Sequence, residues 1–246
     1  MTSRPEALPS PPGGPAVPAA VVFDFDGLIL DTEWPIYHSA NEAFMDHGVE
    51  LPFELWQGFI GRLDHPHWTE ILADTLGRPV DRDQMLARYL PAREELIASL
   101  PIQPGIAELI GSLGEHGVPL AVASSSSVEW VAGHLERLGL YDRFDSIHGG
   151  NHVAHRKPAP DLYQLACSSL DVEPARAVAL EDSLTGCDAA IAAGMAVVAI
   201  PSRMTIGLDF SHADLVVESA FELDVALLGA LVRGSRHRGR LAPPPG

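Results

Sequence analysis

Residues 21–33 read VVFDFDGLILDTE. Apolar residues run straight into Asp24, and Asp26 follows two positions later. Gly27, a second apolar run, Asp31 and Glu33 complete the stretch. A buried strand that ends in a crowd of carboxylates repels itself unless something offsets the charge. The stretch therefore reads as the first strand of an α/β sheet with a charge-bearing site at its tip.

The rest of the chain supports that reading. Val118–Ser124 is a short apolar run ending in serines, and a helical pattern follows over 127–138. Residues 145–148 form a weaker strand candidate. A helix follows PAPD at 158–161, with Leu162, Leu165 and Ala166 on one face. Arg176–Leu180 reads as a buried strand, stopped by Glu181, Asp182 and Ser183. Ser183 suits the cap of a helix over 184–193 that ends at Gly194. Strands at 196–200 and 215–217 complete the set. Strands alternating with helices predict a doubly wound parallel sheet.

Residues 34–100 break the alternation. Helix-period segments at about 35–47, 53–60, 66–76 and 81–99 occur there without a convincing strand. Pro35 stands at one edge, Pro101 and Pro104 at the other. The expected organisation is an α/β core over 19–33 and 102–231, with a helical bundle over 34–101 inserted as a cap. The Pro- and Gly-rich lead, 1–18, and the basic tail, 232–246, read as disordered.

Composition limits the function. Apolar residues make up 46% of 246, enough for a real core. The formal net charge is −17, and the tail alone contributes four arginines and no acid. So acidic a surface argues against nucleic acid or an anionic membrane as partner. It also repels phosphorylated substrates, so an anion site must be built locally from a metal, a lysine or backbone N–H groups. No apolar run approaches the ~20 residues of a membrane span, and the N-terminus lacks a signal-peptide core. Cys167 and Cys187 read as small buried residues in a reducing, cytoplasmic compartment.

Parallel sheets bind ligands at the carboxyl ends of their strands. Four polar clusters follow the predicted strands: Asp24/Asp26, Ser124–Ser127, His155–Lys157 and Glu181–Asp182. The expected sheet brings all four to one edge. Their order, DFDGLILDTE at 24–33, VASSSS at 122–127, RKPAPD at 156–161 and LEDSLTG at 180–186, resembles the haloacid dehalogenase-like hydrolases. The resemblance covers residues 19–225 and points to the capped phosphatase and β-phosphoglucomutase-like branch.

Read beside that resemblance, Asp24 is the expected nucleophile, forming an aspartyl-phosphate. Its charge calls for a divalent cation with oxygen ligands, for which Mg²⁺ is the expectation. Asp182 is the natural opposing ligand. Glu181 is a ligand or a group that holds one, and the resemblance implies that the backbone carbonyl of Asp26 also binds the metal. The Asp26 side chain is then the general acid and base. Gly27 allows a sharp turn that presents N–H groups to phosphoryl oxygens. Ser124 and the N–H of Ser125 suit a phosphoryl oxygen, while Ser126 or Ser127 suits a helix cap. Lys157 stands out because the other fifteen basic residues are all arginine. A compact ammonium there shields the nucleophile and stabilises transferred charge. Arg62 is a candidate contact for a substrate anion. His65 and His67 read as surface histidines, and Asp31 and Glu33 as hinge or surface acids without assigned chemistry.

Within the resemblance, Asp26 argues against dehalogenation, and a cap without lysine argues against phosphonatase chemistry. Mutases of the β-phosphoglucomutase type carry a histidine and a cap arginine where Ile36 and Asp64 stand here. Signalling receivers share the acids and lysine, but a domain of about 120 residues has no use for an inserted cap. The expectation is hydrolysis of a small phosphate monoester, such as a sugar phosphate, by a monomer.

Overall fold

A computed structural model describes residues 17–61 and 65–238. Its strands are β1 (Ala20–Phe23), β2 (Leu120–Ala123), β3 (Ser146–His148), β4 (Ala177–Glu181), β5 (Ala196–Ala199) and β6 (Leu215–Val216). They pair in the order β3-β2-β1-β4-β5-β6, and every pairing is parallel. Chain order reverses at β1, which lies between β2 and β4, so the crevice outside β1 is a natural binding position.

Successive residues of a strand face opposite sides of the sheet, and here both sides are covered. One side presents Val21, Phe23, Leu120, Val122, Val178 and Leu180. Against it pack α5 (Ile106–Glu115), α6 (Val128–Arg137) and α9 (Val225–Arg238). The other side presents Ala20, Val22, Ala121, Ala123, Ala177 and Ala179, with α7 (Asp161–Ser169) and α8 (Leu184–Ala192) against it. The alanines on this second face leave room for Tyr163 and Leu162 of α7, both fully buried. That packing carries the start of α7, and Lys157 just before it, toward the tip of β4.

The helix signals in the sequence are the ones used. Ser127 accepts from the Trp130 N–H at 3.3 Å and Ser183 from the Gly186 N–H at 3.1 Å. The helix expected to open near 35 begins two residues earlier, as α1 (Glu33–Asp46). The helix expected over 53–60 stops early, as α2 (Phe53–Gln57), because Gly58 propagates a helix poorly. Next come α3 (Trp68–Leu76) and α4 (Arg82–Ser99), the latter continuing through Pro91. α9 runs to Arg238, past residue 232 where the sequence placed the loose tail. The lead up to residue 16 and the tail from 239 lie outside the described residues.

Helices α1–α4 surround their own apolar cluster, which includes Tyr37, Phe44, Trp56, Trp68 and Tyr89. Met204, from the loop after β5, is fully buried in that cluster. Gln57 donates to the Met204 carbonyl at 3.1 Å, so the loop after β5 grips the helical cluster directly. Among the described residues no helix is long and apolar enough to cross a membrane.

Candidate active site

Three strand ends build the floor. Asp24 follows β1, and its N–H donates to the Leu180 carbonyl at 3.0 Å, which sets it beside the end of β4. Glu181 ends β4 and Asp182 follows it. Ser124 follows β2. Lys157 reaches in from the segment before α7. Its ammonium lies 2.5 Å from Asp24 Oδ1, 2.5 Å from Glu181 Oε1 and 3.2 Å from the Tyr163 hydroxyl.

Glu181 is the most enclosed of the acids, at 0% exposure, and its carboxylate is saturated with donors. Oε1 accepts from Lys157 and, at 2.6 Å, from the Tyr163 hydroxyl. Oε2 accepts from the N–H groups of Asp182 and Ser183 and from the Ser183 hydroxyl. Gly186 makes room for this arrangement, because a Cβ there would stand 1.9 Å from Glu181 Oε1.

Asp182 is the opposite case. It is 1% exposed, and neither carboxylate oxygen has a hydrogen-bond partner. Asp24, Glu181 and Asp182 each offer an oxygen within 4.8 Å of the others. Burial pushes the Asp24 carboxyl up to about 8, against the pull of Lys157 and with help from Glu181. Burial, Asp24 and Glu181 likewise raise Asp182 well above the usual carboxylate range. Burial alone would lower the Lys157 ammonium, but Asp24 and Glu181 reverse that and leave it raised. Two desolvated carboxyls, one with neither oxygen hydrogen-bonded and only the Ser202 hydroxyl nearby to favour its charge, fit a hard divalent cation bound through oxygen.

Gly27 has φ +94°, and a Cβ there would lie 2.0 Å from Asp182 Oδ2. The glycine therefore serves the close approach of the β1 loop to Asp182. Its own N–H is taken by the Leu30 carbonyl at 2.6 Å and so is not among the N–H groups that the turn presents to a ligand.

Asp26 turns toward β2 and α6. Thr32 Oγ1 and Trp130 Nε1 donate to Oδ1 at 2.8 and 3.0 Å. Ser124 Oγ and Ser126 Oγ donate to Oδ2 at 3.1 and 2.7 Å. Four donors fix one orientation of the carboxylate at the edge of the cavity. Ser125 Oγ is buried without a partner.

A cavity of about 430 Å³ stands over this floor. Asp24, Asp26, Glu33, Ser124, Ser125 and Lys157 line its lower part. Ile36, Trp56, Phe59, Trp68, His65, His67 and Arg93 line the helical side. His65 is exposed, as expected, and stacks on Phe59 at 4.7 Å. His67 is partly buried; its Nδ1 accepts from the Thr69 N–H and caps α3. His67 thus faces the cavity rather than open surface, while His65 stands exposed at its rim. Arg62, the sequence candidate for a substrate anion, lies outside the described residues, as does Asp64.

A family model described as haloacid dehalogenase-like hydrolase matches residues 21–200. The chain belongs to this family. Among the haloacid dehalogenase-like hydrolases it is 37% identical over 209 residues to the Bacillus subtilis (strain 168) protein named "Putative phosphatase YhcW", covering 85% of this chain and 95% of that one. It is 30% identical over 212 residues to validoxylamine A 7′-phosphate phosphatase of Streptomyces hygroscopicus subsp. limoneus, covering 84% and 91%. The crystal structure of CbbY from Rhodobacter sphaeroides in complex with phosphate superposes with a TM-score of 0.63 at 32% identity, over 84% of this chain and 96% of that one. A mutant of that CbbY was crystallised with xylulose-(1,5)bisphosphate and superposes equally well, with a TM-score of 0.63.

Sequence reasoning brought Asp24, Asp26, Ser124, Ser125, Lys157, Glu181 and Asp182 to one edge of the sheet, and the structure has them there. It missed Tyr163, Thr32 and Trp130, which hold the others. Tyr163 lies six residues after Lys157 on the buried face of α7, a spacing that signals core and nothing more. It also left Glu33 without chemistry, although burial, Asp26 and Asp31 push that cavity-lining carboxyl up to about 7. Asp31 faces away, paired with Arg203, whose guanidinium stacks 4.4 Å over Trp34.

Proposed function

We propose that this hydrolase is a Mg²⁺-dependent phosphatase that cleaves a small phosphate monoester through a phosphorylated Asp24, with Asp26 as general acid and base. The observation that carries the reading is the pair Asp24–Asp182: two buried carboxylates side by side, one of them with both oxygens unpartnered. Asp24 and Asp182 would hold the cation, with the Asp26 carbonyl as the family resemblance implies. When bound, Mg²⁺ supplies positive charge that offsets the carboxylates and the phosphoryl oxygens. The full set of donors on Glu181 supports a role in fixing Lys157 rather than in ligation.

Lys157 donates to Asp24 Oδ1, and among the described residues no donor reaches Oδ2, which is therefore the attacking atom. Oδ2 attacks phosphorus as the P–O bond to the leaving group breaks. Once Ser124 turns its hydroxyl from Asp26 Oδ2 to the phosphoryl group, that oxygen carries the proton that Asp26 gives to the departing oxygen. Water then attacks the phosphorus of phospho-Asp24, Asp26 takes the proton from that water, and the P–Oδ2 bond breaks to release phosphate. Ser124, the unpartnered hydroxyl of Ser125 and the Lys157 ammonium are the donors for the phosphoryl oxygens.

Ile36 supports hydrolysis over phosphoryl transfer to a second substrate hydroxyl. It lines the cavity where the resemblance implies a histidine in the mutases, and an isoleucine moves no proton. The relatives support small phosphorylated substrates: one is named for a 7′-phosphate ester, and CbbY was crystallised with phosphate and with xylulose-(1,5)bisphosphate. A cavity of about 430 Å³ suits a molecule of that size. The low-dielectric aromatic wall on the helical side excludes water once substrate fills it.

Phosphate release from a panel of hexose, pentose and nucleoside phosphates, with and without Mg²⁺, tests the reading. Release that requires Mg²⁺ and vanishes in Asp24→Asn is expected. Equal release without divalent cation, or conversion of β-glucose 1-phosphate to glucose 6-phosphate without free phosphate, would overturn it.

A further inference from the structure

Arg93 sits on the face of α4 that lines the cavity, across from the acidic floor. It is partly buried, and its Nε is fully buried without a hydrogen-bond partner. Among the described residues it makes no ion pair. Three other arginines of the fold have a partner. Arg88 is paired with Asp46, Arg203 with Asp31, and Arg156 donates to the Gly150 carbonyl. A guanidinium that loses water and gains no acceptor is unfavourable, and buried donors are satisfied as a rule. The neighbouring acid on its own helix, Glu94, acts on it through charge but is exposed and forms no ion pair with it.

We propose that Arg93 is a specificity-determining residue that binds a second anionic group of the substrate, so that the preferred substrates are phosphate esters carrying a further carboxylate or phosphate. This rests on the phosphatase reading of the site. The floor already assigns its own cations: Lys157 is committed to Asp24 and Glu181. A second anion therefore has to be met from the helical side. Trp56 and Trp68 line the same wall, and such apolar surroundings strengthen a charge pair relative to water. The planar fork of a guanidinium matches both carboxylate and phosphate. His67 faces the same cavity, with Nδ1 occupied by the Thr69 N–H, which leaves Nε2 as a neutral donor beside the anion. Burial pushes the Arg93 guanidinium down somewhat from its usual range, a penalty that an anion would relieve.

Two matched pairs of esters test this: glucose 6-phosphate against 6-phosphogluconate, and fructose 6-phosphate against fructose 1,6-bisphosphate. The wild-type protein is expected to favour the doubly anionic member of at least one pair by about tenfold in kcat/KM. Which pair shows it tells carboxylate from phosphate. In Arg93→Gln that ratio is expected to collapse by tenfold or more, through KM rather than kcat, with partial recovery in Arg93→Lys. A ratio unchanged by Arg93→Gln, or an equal fall for both members of a pair, would overturn the inference. Calorimetric binding of the same four esters to Asp24→Asn and to Asp24→Asn/Arg93→Gln reads the preference without turnover. Inactivity of every ester would then count against the phosphatase reading alone, whereas equal binding of both members would count against Arg93.

Discussion

Replacing Lys157 with methionine keeps the volume of the side chain and removes its charge. The side chain is 3% exposed and its ammonium is shared by Asp24 and Glu181 at 2.5 Å each. Both carboxylates stay buried after the change. Glu181 Oε1 keeps the Tyr163 hydroxyl, but Asp24 Oδ1 is left without a donor. Breaking a buried pair by removing one partner costs about 3–5 kcal/mol. The loss of Lys157 also removes the charge that holds Asp24 down, so its carboxyl rises further and binds a proton more readily in the folded state. Folded Lys157→Met thus carries protons that the unfolded chain, with ordinary carboxyls near 3.8, has already released. Wild-type Asp24, at about 8, holds the same proton below that value, so the destabilisation of the variant is smallest at lower pH and grows as pH rises past about 8. Urea unfolding of the metal-free protein should give a loss of about 3–5 kcal/mol at pH 9.5 and a clearly smaller one at pH 6.5. The same variant should lose about 10²–10³ in kcat, the usual effect of removing one preorganised donor to developing charge. A loss under about 1 kcal/mol at pH 9.5, with no change between the two pH values, would refute the claim that Lys157 is the keystone of the carboxylate cluster.

Further outcomes follow from the same geometry. Gly27→Ala puts a Cβ 2.0 Å from Asp182 Oδ2 at a positive φ, so unfolding should show a loss of about 1–3 kcal/mol and calorimetry weaker Mg²⁺ binding. Asp24, raised to about 8, and Asp182, raised well above the ordinary range, keep protons in the folded state that the unfolded chain loses near 3.8. The metal-free protein should therefore lose stability as pH rises from about 4, with the Asp24 share complete above about 8. Mg²⁺ should in turn raise Tm more at pH 8 than at pH 6, and equal shifts at both values would count against these two acids as its ligands. Trp130→Phe removes a 3.0 Å donor from Asp26 and keeps most of the ring, so kcat should fall about tenfold while stability changes by about 1 kcal/mol at most.

Much of the fold could be read from period alone. VVF before Asp24, LAVA before Ser124 and AVAL before Glu181 are short apolar runs, buried on both faces, and each is stopped by the polar group it delivers. The paired acids and the single lysine were legible for the same reason: they violate the local pattern. The groups that position them were not. Tyr163, Thr32 and Trp130 obey the pattern of a helix face or a strand exit, and only the tertiary packing makes them partners of Glu181 and Asp26. Gly27 reads in the sequence as a sharp turn; the structure adds a steric constraint that comes from Asp182, far away in sequence. Arg93 was invisible for a different reason. One arginine on an 18-residue helix rich in charge has no signature until the helix is docked over the cavity. Likewise nothing in PSRMT marks Met204 as part of the cluster formed by α1–α4; burial in that cluster depends on where the loop after β5 passes.

The central claim is that Asp24 becomes phosphorylated during turnover. Acid-quenched labelling with a radiolabelled ester that the protein hydrolyses, followed by peptide mapping, measures this directly. Label that is stable in acid, is released by mild base, maps to the peptide containing Asp24 and is absent from Asp24→Asn is the predicted result. Steady release of labelled phosphate with no label on the protein at any quench time, together with activity retained in Asp24→Asn, would contradict it.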